Sequence, residues 1–266
     1  MKHINLKKEN YENIMLNSLK RTFSYTKYIL DTEKFKIIFL TILLTCFLCT
    51  FNLMSNVSYS EAIFDYISSS MFVFPLMIIL FISSSIFLEH YDKNYSFLIR
   101  YSSKENYLKY LLISVSLGNL IIYLSAITIG ILFVSLRYFG MISFTQVEYY
   151  NISYITYSIF FITKLYIVTN LLALIGICIY KLLGKIVGYI YYLTIAVIYY
   201  CFPISSNIIS NFTFESLNFK YYLVPIPYVS FLKEIANSII FICTTILLLT
   251  ALIVITTNFK KIKIDE

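Results

Sequence analysis

The chain has 266 residues, 59% of them hydrophobic and 13% charged, with a formal net charge of +7. A soluble domain carries about 25% charged residues, so the composition excludes an ordinary water-soluble enzyme or binding module. The apolar residues instead fall in runs as long as a hydrocarbon core is thick, which marks an integral membrane protein. The excess positive charge is then a topological signal and gives no reason to invoke nucleic acid.

Residues 1–35 are polar and basic, with Met15, Leu16, Leu19, Phe23 and Leu30 at helical spacing and Lys20, Arg21 and Lys27 between them. This pattern predicts an amphipathic interfacial helix on an anionic leaflet; a solvated tail is the alternative. No small-residue cleavage site follows the first apolar run, so that run reads as a retained span and not as a signal peptide. A transmembrane domain over 36–259 is predicted to hold six helices, at about 37–54, 63–88, 107–136, 154–180, 187–205 and 234–259. Pro75 sits near the middle of the second and predicts a kink there, because neighbouring helices can satisfy the carbonyl a membrane proline frees. Residues 260–266 form a short basic tail. The fold class is an all-α integral membrane protein.

Lysine and arginine set the orientation. Eight lie before the first span, four in the segment Lys93–Lys109, two at Lys181 and Lys185, and three in the tail. An even number of spans puts all these regions on one side, 17 of the 21 basic residues in the chain. The positive-inside rule then predicts that both termini are cytoplasmic. Usage of Ile, Lys, Asn and Tyr without Trp points to an AT-rich genome, so the expected location is a bacterial plasma membrane.

Residues suited to catalysis are sparse. His3 and His90 lack a partner at metal-ligand spacing, and no Gly-rich phosphate loop occurs. Cys46 and Cys49 make a C-x-x-C without a second Cys or His pair, so they read as apolar helix filler. Lys164 lies about ten residues inside the fourth run. It either faces a polar cavity or snorkels outward past Ile159, and the spacing favours snorkelling. No carboxylate is read as buried within a span, so a source of energy outside the chain is expected.

The segment from Glu89 to Tyr110 is a polar island between two apolar runs, yet its middle, Tyr95-Ser96-Phe97-Leu98-Ile99, is apolar again. About two helical turns over 95–101 would put Tyr95, Leu98 and Ile99 on one face. Ser102-Ser103-Lys104-Glu105 has the form of a capping box that would start the third span. A short helix followed by a capped restart predicts a knob that docks on a soluble partner or seats among headgroups.

The island resembles the cytoplasmic loop between spans two and three of permease subunits of the type-2 ATP-binding-cassette exporter family. The matching positions are Glu89, Asp92, Asn94-Tyr95, Phe97-Leu98-Ile99, Ser103-Lys104 and Lys109; the family's usual Gly of the small pair and its Pro before the Ser are absent. The N-terminal amphipathic segment, the six spans and a broken Pro-x-x-Tyr-like turn, Pro225-Ile226-Pro227-Tyr228, are similar as well.

The resemblance implies a membrane subunit with no cofactor of its own, working with a separate ATPase, two copies of which carry ATP and Mg. It implies a second permease subunit, identical or paralogous. The ATPase-coupling residues would be Glu89, Tyr95, Phe97, Leu98, Ile99, Arg100, Ser103 and Lys104, with Lys181 and Lys185 as a smaller contact. Lys164, Pro225, Pro227 and Tyr228 are candidate pathway residues. Small permeases of this kind suggest an antimicrobial peptide or other amphiphile as cargo. The alternatives are a six-span module of another type, such as the substrate component of a vitamin importer or a membrane scaffold, and an intramembrane enzyme.

Overall fold

The structure, a computed structural model, describes residues 20, 22–53, 57–93, 104–138, 146–147, 150–201, 219–223, 225 and 230–262. Among them, helix dominates: α1 (22–30), α2 (Glu33–Phe51), α3 (Tyr59–Ser68), α4 (Ser70–Lys93), α5 (Lys104–Arg137), α6 (Tyr154–Leu183), α7 (Lys185–Cys201), α8 (Lys220–Leu223) and α9 (Phe231–Ile262). A small antiparallel ladder precedes α6, pairing β1 (Gln146–Val147) with β2 (Ile152–Ser153).

Five of these helices, α2, α4, α5, α6 and α9, are long and apolar enough to cross a membrane. The chain is a multi-pass membrane protein. The predicted fifth span is a shorter apolar helix, α7, of 17 residues. At 1.5 Å per residue it covers roughly 25 Å, short of the ~30 Å core; its predicted extension to 205 lies outside the described residues.

The predicted second span is two helices rather than one kinked helix. The break falls at Ser69, whose backbone is extended (φ −63°, ψ 137°), six residues before Pro75. The Ser69 hydroxyl donates to the Tyr66 carbonyl at 3.0 Å and accepts from the Phe72 N–H at 3.3 Å, so one side chain ends α3 and starts α4. Pro75 is retained inside α4, where it cannot donate to the Met71 carbonyl four residues before it. The Cys49 thiol of α2 donates to that carbonyl at 3.2 Å. A neighbouring helix therefore repairs the backbone, as lipid requires.

The two long helices α4 and α6 form the centre, and α9 the periphery: 67%, 72% and 22% of their most apolar stretches are buried. α6 packs against α3, α4, α5, α7 and α9. Its contact with α4 and α5 carries a polar relay. Asn119 of α5, fully buried, donates from Nδ2 to Ser84 Oγ (3.1 Å) and to Asn170 Oδ1 (3.2 Å), and Asn170 donates to Ser116 Oγ at 3.2 Å. Such interhelical bonds average about 0.6 kcal/mol in lipid, so the relay sets register more than it supplies stability.

Close approach is achieved by glycine. A Cβ at Gly118 would overlap the Phe87 ring of α4, and one at Gly130 would overlap the Tyr66 ring of α3. Tyr123 and Tyr192 are buried and donate to the carbonyls of Ile162 (2.7 Å) and Ala173 (2.8 Å). They are packing residues.

The described part of the basic N-terminal segment, α1, has a protein-facing side. Thr22, Tyr25, Thr26 and Ile29 are buried, while Phe23 and Tyr28 are exposed. Thr26 shares a hydrogen bond with Ser114 at 2.7 Å, and Tyr25 donates to the His90 carbonyl at 3.1 Å. The helix is thus seated on α4 and α5, with Phe23 and Tyr28 along its outer edge.

Replacing Gly118 by Val should destabilise the fold by about 1–3 kcal/mol through overpacking against Phe87. Thermal unfolding of the detergent-solubilised chain measures this, and Phe87→Leu introduced with Gly118→Val should recover part of the loss.

Candidate functional site

Two polar constellations stand apart from the apolar packing, one at each end of the bundle. The first collects the ends that flank the 94–103 segment. Glu89, near the end of α4, accepts from Lys34 of α2 at 3.3 Å, from Lys185 of α7 at 3.4 Å and from the Tyr189 hydroxyl at 3.4 Å. One turn on, Asp92 accepts from Lys181 of α6 and from the Tyr107 hydroxyl of α5 at 3.1 Å. The Lys181 ammonium also lies over the Tyr107 ring, 5.2 Å from its centroid. Each exposed pair contributes only about 0–1 kcal/mol. Their geometry matters more, since two carboxylates on one helix end bind the ends of α2, α5, α6 and α7 into a collar.

The structure thereby brings together three residues predicted for coupling, Glu89, Lys181 and Lys185, and pairs them within the chain. Glu89 and Lys185 share an ion pair, while Lys181 belongs to the adjoining Asp92 pair. Lys104 opens α5 at the base of the same segment. Tyr95, Phe97, Leu98, Ile99, Arg100 and Ser103 lie outside the described residues. Lys34 and Tyr107 complete the collar although the sequence reading assigned them no role. The signal for Lys34 was only that it opens a span on the basic side.

The second constellation overturns the reading of Lys164. This residue does not snorkel to the membrane surface: its side chain is 2% exposed and its Nζ lies 2.6 Å from Glu234 Oε1, itself fully buried. Residues 157, 161 and 164 lie on one stripe of α6, because steps of four and three residues return to the same helix face. From it, Tyr157 donates to both Glu234 oxygens (3.1 and 2.9 Å), and Phe161 and Phe160 place their rings about the ammonium at 5.1 and 5.2 Å. Tyr150, in the connection between β1 and β2, adds a hydroxyl to Glu234 Oε2 at 2.9 Å. Glu234 stands in the first turn of α9, where a carboxylate is also favoured by the helix dipole.

A buried carboxylate therefore exists inside the bundle, contrary to the sequence expectation of none. Both its oxygens are occupied by an ammonium and two hydroxyls, so the cluster reads chemically as a latch joining α6 to α9. Of the remaining pathway candidates, Pro225 is half-buried, and Pro227 and Tyr228 lie outside the described residues. At the same end Arg137, in the last turn of α5, donates to the Thr50 carbonyl and, at 3.0 Å, to the Leu53 carbonyl, closing the C-terminal turn of α2.

Cys46 and Cys49 are buried, free thiols, and Cys46 donates to the Ala126 carbonyl at 3.4 Å. Among the described residues, no group of three or more His, Cys, Asp or Glu side chains is arranged to hold a metal ion.

Removing one partner of a buried ion pair strands a charge and costs about 3–5 kcal/mol, whereas replacing both is far cheaper. Lys164→Met should therefore unfold the purified chain at markedly lower temperature. Lys164→Met combined with Glu234→Gln should be more stable than Lys164→Met alone, a non-additivity that a double-mutant cycle reads directly.

No family model, no curated protein and no solved structure matches this chain.

Proposed function

We propose that the chain is the membrane-spanning permease subunit of an ATP-driven exporter in a bacterial plasma membrane, with six spans and both termini cytoplasmic. The observation that supports this most is the collar. The segment 94–103 emerges from α4 and re-enters at α5, and the two residues at its root, Glu89 and Asp92, are held by Lys34, Lys181 and Lys185. A push on that segment would be delivered to the ends of α2, α5, α6 and α7 together, which is what a docked motor needs. Rigid-body switching between two packed states is the form such coupling takes.

In this reading a separate ATPase, two copies carrying ATP and Mg, docks on the connection between α4 and α5 through Tyr95, Leu98 and Ile99, and the chain itself holds no cofactor. A second permease subunit, identical or paralogous, encloses the pathway with it. The cargo is an amphiphilic compound or antimicrobial peptide, a choice resting on resemblance to small exporter permeases. ATP hydrolysis belongs to the partner, so this chain is not an enzyme.

The docking test is co-purification of the full-length tagged chain from its native membrane. Leu98→Asp with Ile99→Asp should abolish association with the ATPase and its cargo-stimulated hydrolysis; unchanged association would sink the proposal. Asp92→Asn should keep the ATPase bound but lower the stimulated hydrolysis several-fold, because it loosens the collar without altering the docking face. Exchange of the two charges, Asp92→Lys with Lys181→Asp, should restore part of that loss.

A further inference from the structure

A groove of about 520 Å³ lies below the collar between α4 and α7, with Lys34 at the start of α2 over one end. Its walls include Phe81, Ile82 and Ile86 of α4 and Tyr192, Leu193 and Ala196 of α7. It opens sideways, since Ile82 and Leu193 are 49% and 65% exposed on the apolar side of the bundle. The head of the groove is polar: Lys34, Glu89 and Tyr189 line it, and Lys185 reaches Glu89 from the next turn.

Charge balance at the head is uneven. Two lysines share one carboxylate, leaving one net positive charge, and their side chains remain 54% and 57% exposed while Glu89 is 25% exposed. The two ammonium groups thus keep donors free for an anion, with the Tyr189 hydroxyl beside them. An apolar slot within the ~300–1,000 Å³ range of small-molecule sites, with a few convergent polar groups at one end, is the form of a ligand site. Basic pockets between membrane helices suit anionic lipid headgroups. The lateral opening selects the bilayer as the source.

We propose that this groove is a binding site for an anionic phospholipid, its phosphate on Lys34 and Lys185 and one acyl chain along Phe81, Ile82 and Leu193. The lipid would tie Lys34 at the start of α2 to α7 and so complete the collar on its membrane side. The inference requires only that the chain spans a membrane, and it stands whether or not an ATPase docks.

The test uses the purified full-length chain in detergent and native mass spectrometry with added phosphatidylglycerol, phosphatidylcholine or soluble glycerol phosphate. Phosphatidylglycerol should be retained about fivefold better than phosphatidylcholine, as expected for one net positive charge at the head of the groove. Lys34→Gln with Lys185→Gln should bring that ratio close to one, whereas Lys27→Gln with Lys36→Gln should leave it intact. Ala196→Phe, which fills the groove without touching a charge, should reduce retention of both lipids and keeps the test open if the lysine variant does not fold. Equal retention of the two lipids would overturn the site, as would loss of preference in the Lys27 and Lys36 variant. Binding of glycerol phosphate as tight as that of the lipid would show that a soluble phosphate, and not a bilayer lipid, is the occupant.

Discussion

A polar group inside a bilayer has no water to pair with, and the architecture of this protein follows from that constraint. Where Pro75 frees the Met71 carbonyl, the Cys49 thiol reaches across from α2. Where α2 ends, Arg137 of α5 closes its last carbonyls. Where the Lys164 ammonium is buried in α6, the Glu234 carboxylate of α9 meets it, and two tyrosine hydroxyls donate to that carboxylate. In each case the main partner comes from another helix, so satisfying the backbone and the buried charges also helps determine which helices are neighbours.

The apolar contacts follow the same neighbours and refine the distances. Lipid tails are as apolar as leucine, so helices gain little from burying grease alone and associate through close packing and hydrogen bonds. Gly118 beneath Phe87 and Gly130 beneath Tyr66 let rings sit against backbone. Asn119, linked to Ser84 and Asn170, pins α4, α5 and α6 at mid-bundle. The result is a tightly held centre, α4 to α6, with α2 and α9 more exposed at the sides.

The two ends differ in kind. At the basic end the ion pairs are exposed, share partners and can exchange them, which suits a region that receives a force or a ligand. At the opposite end the Lys164–Glu234 pair is dry and saturated, which suits a fixed pivot between α6 and α9. The groove under the collar adds an apolar slot between α4 and α7 beside those exposed charges.

Much of the frame was determined by the sequence alone. Apolar run length dictates helices across a membrane, because only internally bonded segments survive in hydrocarbon, and the charge asymmetry marks one end as basic whatever the packing. The same run lengths fall on α2, α4, α5, α6 and α9, the helices long and apolar enough to cross a membrane. Tertiary structure alone decided the pairings. Lys164 and Glu234 are 70 residues apart, and each alone looks like a surface-seeking charge near a span end. Ser69 broke the second span where Pro75 drew attention, since a hydroxyl that can bond both helix ends outweighs a proline whose carbonyl is repaired elsewhere. Glu89, Lys181 and Lys185 looked like outward-facing docking charges until the helix ends came together and brought ammonium and carboxylate groups within reach of one another. Sequence spacing specifies which face of a helix a residue occupies, but the partner across that face depends on which helices pack, and that is a property of the folded chain.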